Sequence, residues 1–72
     1  MLLRDWMERH GVSDDDLAAR IGRHRTDCFR YRRGQHVPRA EVIIAIERET
    51  NGEVTAEDLL AAYMERRQLK AA

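Results

Sequence analysis

The chain has 72 residues but only one cysteine, one proline and one phenylalanine. A lone cysteine, Cys28, closes no internal disulfide, so no covalent staple holds the fold, and a reducing compartment is expected. No apolar run approaches the roughly 20 residues that span a bilayer. The opening Met1-Leu2-Leu3-Arg4-Asp5-Trp6 mixes charge with apolar residues too early for a secretory leader. A soluble, cytoplasmic protein with no membrane partner is expected. Repeats, low-complexity tracts and linkers are missing, and no segment alternates with strand period. A chain this short buries only about 60% of the surface its unfolded form exposes. Locally packed helices suit it; a deep cavity for a small-molecule ligand does not. These absences leave an all-α fold, read as a compact bundle of about five short helices. One domain is expected over residues 1–66, followed by a polar C-terminal tail over 67–72.

Net charge is also lacking, at zero overall, but its distribution is uneven. Residues 1–19 carry two arginines against five acids. Residues 20–39 carry seven arginines against one aspartate, with His24 and His36 among them. Residues 40–72 carry four bases against seven acids. A neutral chain with so concentrated a basic stretch still presents a strong local positive field, the footprint of an anionic partner such as nucleic acid.

The helices are legible from apolar spacing and stop signals. Leu2, Leu3, Trp6 and Met7 make one stripe of a helix over about 2–9, which Gly11 ends. Ser13 opens the second helix with Asp16 as its capping-box partner, and Asp14, Asp15 and Asp16 sit at the positive end of its dipole. Leu17, Ala18 and Ile21 are its buried face, and Gly22 stops it. Arg23 and His24 alone separate this stop from a third helix over about 25–33, closed by Gly34. Pro38 suits the first turn of a fourth helix, about 39–50, with Val42, Ile43 and Ile46 inward and Asn51-Gly52 as the stop. Thr55, paired with Asp58, caps a fifth helix carrying Leu59, Leu60, Tyr63 and Met64.

Two short helices joined by a tight glycine turn form a helix-turn-helix. The motif spans about residues 14–34. Ala18 is the small residue where the helices meet, Gly22 takes the turn, and Leu17, Ile21, Cys28 and Tyr31 hold the pair together. With Cys28 inward, 100° per residue turns Thr26, Phe29, Arg30 and Arg33 outward and leaves Arg25 on the flank.

The run Leu17-Ala18-Ala19-Arg20-Ile21-Gly22, then Cys28, Tyr31 and Arg33-Gly34, resembles the Cro and phage-repressor helix-turn-helix family. Pro38 and the segment Ile46-Glu47-Arg48-Glu49-Thr50-Asn51-Gly52-Glu53-Val54-Thr55 are similar to small prophage Cro-like regulators. The resemblance covers roughly residues 2–60. It implies a lambda-repressor-like domain whose third helix enters the major groove of double-stranded DNA, acting as a repressor in a bacterial cytoplasm, whether host- or phage-encoded.

On this reading Arg25, Thr26, Phe29 and Arg30 are the base-reading set. Arginine donates two parallel bonds to guanine O6 and N7. Thr26 reaches a thymine methyl or a backbone oxygen. Phe29 either packs on a thymine methyl or tucks into the core beside Tyr31. Arg23, His24, Arg33, His36 and Arg39 are phosphate contacts, with His24 capping the third helix where the family usually has Ser or Thr. Arg20 stands one turn from Asp16 and is expected to pair with it. Asp14 departs from the family, which often places a neutral residue there against the DNA backbone. Either the second helix sits back, or its acids tune affinity downward.

Competing chemistry fits less well. His24 and Cys28 have the i, i+4 spacing of metal ligands, but a zinc site needs more donors than they supply, so no metal and no cofactor are expected. Cys28 sits where the motif needs a core residue rather than a nucleophile, and the three aspartates lack the spaced loop of a calcium site. An enzyme is not expected. The rival is a protein-interaction module, an antitoxin or adaptor on the same scaffold, for which an apolar patch on the third helix is expected. Ile44, Leu60 and Met64 lie off the main stripes: either they complete the core, or they meet a second copy in a homodimer that forms at least on DNA.

Overall fold

The computed structural model describes residues 1–71, with side chains through Leu69. Five helices follow one another: α1 (Leu3–His10), α2 (Asp14–Ile21), α3 (Arg25–Arg32), α4 (Ala40–Glu49) and α5 (Ala56–Ala71). There is no strand among the described residues. The all-α expectation is met, with boundaries within a residue or two for the first four helices.

The stop and start signals act as the chemistry requires. Gly22 takes the left-handed conformation at φ 69° after α2. Ser13 and Asp16 form the full capping box, each side chain bonded to the other's backbone amide at 3.1 Å. At the start of α5 the Thr55 amide donates to Asp58 Oδ2 at 2.9 Å, and the Asp58 amide donates to Thr55 Oγ1 at 3.3 Å. Pro38 differs from expectation. Arg39 is the N-cap of α4, so Pro38 lies one residue before the cap rather than in the first turn, and it is buried there. Its fixed φ shapes the approach to α4 instead of its first turn. Helix α5 also differs: it continues to Ala71, across most of the segment expected as a tail, of which Ala72 lies outside the described residues. Ala56, Leu59, Leu60, Ala61, Ala62 and Met64, with Glu and Arg between them, are all strong helix formers, and neither glycine nor proline interrupts the run.

The core gathers Leu3, Trp6 and Met7 of α1, Leu17 and Ala18 of α2, Cys28 of α3, Val42 and Ile46 of α4, and Leu59 of α5, joined by Val12 and Val54 from the connections. Ile21, Tyr31 and Ile43 pack on its margin. Helix α2 packs against both α3 and α4, while α1 and α5 each touch α3, so α3 is braced by three neighbours.

Two polar devices fasten the connections. Thr50 is buried, its Oγ1 donating to the Ile46 carbonyl at 2.8 Å and accepting from the Val54 amide at 3.2 Å. Trp6 Nε1 donates to Glu53 Oε2 at 2.9 Å, tying α1 to the α4–α5 loop. At the end of α3, Gly34 holds φ 73° against α5. A Cβ there would overlap the Ala62 carbonyl, with its carbon only 2.7 Å away, so this close approach of two backbones requires glycine.

Candidate functional site

Helix α3 has two unlike sides. Cys28 is fully buried against α2 and α1, and burial, reinforced by the Asp14 and Asp27 carboxylates, pushes its thiol up to about 11. It is a protonated core residue in the folded chain at neutral pH, not a thiolate nucleophile. The opposite side presents Thr26 and Arg30 to solvent, Arg25 is exposed on the flank, and Arg33 follows at the C-cap, also exposed.

Of these cations, Arg30 and Arg33 have no carboxylate within ion-pair distance among the described residues, and neither does Arg39 at the start of α4. Arg25 reaches Asp15 only at 4.0 Å, with both side chains about three-quarters exposed, so the pair is weak in water. Arg23 stands 3.7 Å from Glu41. Arg23, Arg30, His36 and Arg39 line one open cleft with Tyr31, and the acids Asp27 and Glu41 share it. Burial, then Asp27, pushes the Tyr31 phenol up, while Arg23 and Arg39 oppose the shift. Both guanidiniums therefore act on this ring, and the cleft holds more positive than negative charge.

Arg25, Thr26 and Phe29 meet on the other flank in a hollow they share with Arg32 and the first residues of α2, Ser13, Asp14 and Asp15. Phe29 neither joins the core beside Tyr31 nor stands free. It is half-buried, with the Arg32 guanidinium 4.9 Å and the Arg33 guanidinium 5.1 Å from its ring centre. Both cations face the negative π surface, and their stems shield the ring from water.

Three further expectations are corrected here. His24 occupies the N-cap of α3, but its exposed ring makes no capping bond, so helix-start amides stay open to an external acceptor. Arg20 makes no ion pair with Asp16; its Nη1 meets Glu49 Oε1 on α4 at 3.4 Å, and it acts on the Asp16 carboxyl only as a more distant charge. The Asp16 carboxyl is instead held low by the backbone and hydroxyl of Ser13. Asp14 is not free to repel a phosphate: it accepts from Arg32 Nε at 2.7 Å and Nη2 at 3.1 Å. This hydrogen bonding raises the Arg32 pKa further and absorbs both charges. Arg32 escaped the sequence reading, yet the signal was there. It lies 40° from Cys28 around α3, on the side that faces the acids of α2.

Among the described residues no three His, Cys, Asp or Glu side chains group as metal ligands, and no helix is long and apolar enough to cross a membrane. Chemically, the surface built from α3 and the loop after it offers guanidinium forks, imidazoles and open helix amides to an extended anion. No family model, curated protein or solved structure matches the chain.

Proposed function

We propose that this chain is a sequence-specific double-stranded DNA-binding regulator of transcription, a Cro-like repressor in which α2, the turn at Gly22 and α3 act as a helix-turn-helix. The observation that carries the reading is the set of exposed arginines on α3 and its following loop, Arg30, Arg33 and Arg39, left without carboxylate partners in a chain that has as many acids as bases. Arg9, Arg48, Arg66 and Arg67 are also without an ion pair among the described residues, but Arg30, Arg33 and Arg39 are the ones grouped on α3 and the loop after it.

The dimensions suit the task. An α-helix with its side chains is about 10–12 Å across, and the major groove is about 12 Å wide. With α3 in the groove, Arg25, Thr26, Phe29 and Arg30 face base edges. Arg30 is the guanine reader by fork geometry, and Phe29 contributes an apolar edge to a thymine methyl. Arg23, Arg33, His36 and Arg39 reach the phosphates on either side, and the open amides beside His24 take another. The Asp14–Arg32 pair sets α2 back without a net charge against the backbone. An antitoxin or adaptor would need an apolar patch on α3, but of its two aromatics Phe29 lies under two guanidiniums and Tyr31 packs on the core margin, and the most exposed large apolar side chains, Ile44, Leu60, Met64 and Leu69, are on α4 and α5.

Anisotropy titration of labelled duplex from the chain's own upstream region, against scrambled duplex, tests this reading. Binding at least a hundredfold tighter to the upstream duplex is expected, with affinity falling steeply as salt rises because phosphate contacts release counterions. Equal affinity for both duplexes, or none at low salt, overturns it.

A further inference from the structure

Helix α5 runs on past the core into a second group of cations. None of its residues from Tyr63 to Leu69 is buried. At 100° per residue, Tyr63, Arg66 and Arg67 fall within about 100° of arc. With Gly34 and Gln35 they line an open hollow, at the place where the backbone after α3 rests on Ala62 and Tyr63.

No carboxylate lines this hollow. The cleft and the hollow on α3 both contain acids, Asp27 and Glu41 in one, Asp14 and Asp15 in the other. The acids of α5 lie elsewhere, because Glu57, Asp58 and Glu65 project about 80° or more outside the arc. Asp58 serves the Thr55 cap, and Glu65 accepts from Arg4 Nη2 at 3.4 Å. Neither Arg66 nor Arg67 has a carboxylate within ion-pair distance among the described residues. Arg67 Nη1 donates to the Tyr63 phenol oxygen at 3.2 Å, and its guanidinium lies 5.6 Å from the ring centre. With its oxygen accepting from Arg67, the phenol keeps its own proton to donate outward, and Gln35 adds a carboxamide N–H. Two guanidinium forks, a phenol and a carboxamide, with no acid to balance them, suit the oxygens of a phosphate.

The hollow begins one residue after Arg33, the exposed C-cap of α3. Exposed ion pairs are worth at most about 1 kcal/mol each in water, so an open site of this kind holds a free phosphate ion only weakly. A phosphodiester on a strand that Arg33 already holds is delivered at high effective concentration, and the same contacts then count.

We infer that Gln35, Tyr63, Arg66 and Arg67 form a phosphate site that takes one phosphodiester of the duplex backbone beside the one held by Arg33. The DNA footprint then runs across the end of α3 onto α5. The duplex as source rests on the proposed function; the phosphate site itself does not.

Two arms test site and source separately, both with the full chain. In the first, inorganic phosphate is titrated at constant ionic strength, with chloride as the balancing anion, and arginine Nε–H resonances are followed by NMR. Saturable shifts in the millimolar range are expected at Arg66 and Arg67 and not at Arg9 or Arg48. Shifts no larger at Arg66 and Arg67 than at Arg9 and Arg48 overturn the site. In the second arm, upstream and scrambled duplexes are titrated with wild type and two double variants. Arg66→Gln with Arg67→Gln empties the hollow; Arg9→Gln with Arg48→Gln removes the same charge from the last turns of α1 and α4. The first pair is expected to weaken both duplexes about fivefold at low salt and to lower the salt slope by about one, and the second to leave both near wild type. If the two pairs weaken binding alike, or neither does, the duplex is overturned as the source even where free phosphate binds. If wild type binds neither duplex, the proposed function falls, and the duplex as source with it, while the first arm still decides the site.

Discussion

Replacing Gly34 by alanine perturbs the site from behind. Gly34 closes α3, and its backbone lies directly on α5 at Ala62 and Tyr63. Two costs follow. Alanine at φ 73° carries about 1–2 kcal/mol of left-handed strain. Its methyl also overlaps the Ala62 carbonyl, with the carbonyl carbon 2.7 Å and the Tyr63 nitrogen 3.1 Å away. Backbone in mid-helix cannot step aside as a side-chain tip does, so α5 must shift as a unit, at about 1–3 kcal/mol. The sum is about 2–5 kcal/mol. A domain of this size has a total stability of about 4–11 kcal/mol, so the loss is a large fraction. At about 4–8 °C per kcal/mol the midpoint should fall by at least about 8 °C. Gly22→Ala is the internal control, because it shares the positive φ but has nothing within 4 Å of the added carbon. It should cost only about 1–2 kcal/mol. Thermal and urea unfolding followed by circular dichroism measure both. If Gly34→Ala were no more destabilising than Gly22→Ala, the close approach of α3 and α5 would be refuted.

Three other outcomes are expected. Asp14→Asn removes the bidentate acceptor of Arg32, costing about 1 kcal/mol in urea unfolding for a partly exposed pair. By freeing the Arg32 guanidinium that Asp14 had neutralised it should tighten DNA binding severalfold by anisotropy; unchanged or weaker binding would show that the released Arg32 does not reach the phosphates. Thr50→Val keeps shape but strips the acceptor from the buried Val54 amide, so it should lose about 1–3 kcal/mol, and a neutral result would show that the α4–α5 connection does not rely on that hydroxyl. Acid should destabilise the fold through Asp16 and Asp58. Burial raises the Asp58 carboxyl, but the Thr55 amide and hydroxyl and the Met1 amino group together hold it below 3.8, and Ser13 does the same for Asp16. Both pKa values are depressed on folding, so their contribution is full above pH 3.8 and is lost as pH falls through the lower folded values. Urea midpoints that stayed level from pH 5 to pH 2 would contradict this.

Much of the fold was legible because its punctuation is local. Gly11, Gly22 and Thr55 with Asp58 act within one turn of chain, spacing identifies Leu17 and Ala18 as core, and the needs of the motif add Cys28. What escaped the sequence is long-range pairing. Asp14 finds Arg32 eighteen positions on, Arg20 prefers Glu49 to its neighbour Asp16, and Trp6 finds Glu53. Each choice depends on how helices cross, which a helical wheel does not encode. Phe29 shows the same limit. It is half-buried with two arginines from its own helix end over the ring, an arrangement that the choice between core and thymine methyl did not contain. The extent of α5 was missed for a different reason: the polar residues from Arg67 onward read as a tail, although their helix propensity was high.

On the proposed function, α3 reads sequence while the loop after it holds phosphate. Arg30→Ala and Arg39→Ala, compared on upstream and scrambled duplexes across a salt series, test it most directly. The account predicts that Arg30→Ala costs about 1–3 kcal/mol on the upstream duplex and little on the scrambled one, collapsing the specificity ratio. Arg39→Ala should weaken both duplexes alike and lower the salt slope by about one. If both substitutions weakened both duplexes equally, α3 would be a basic surface and not a reading helix.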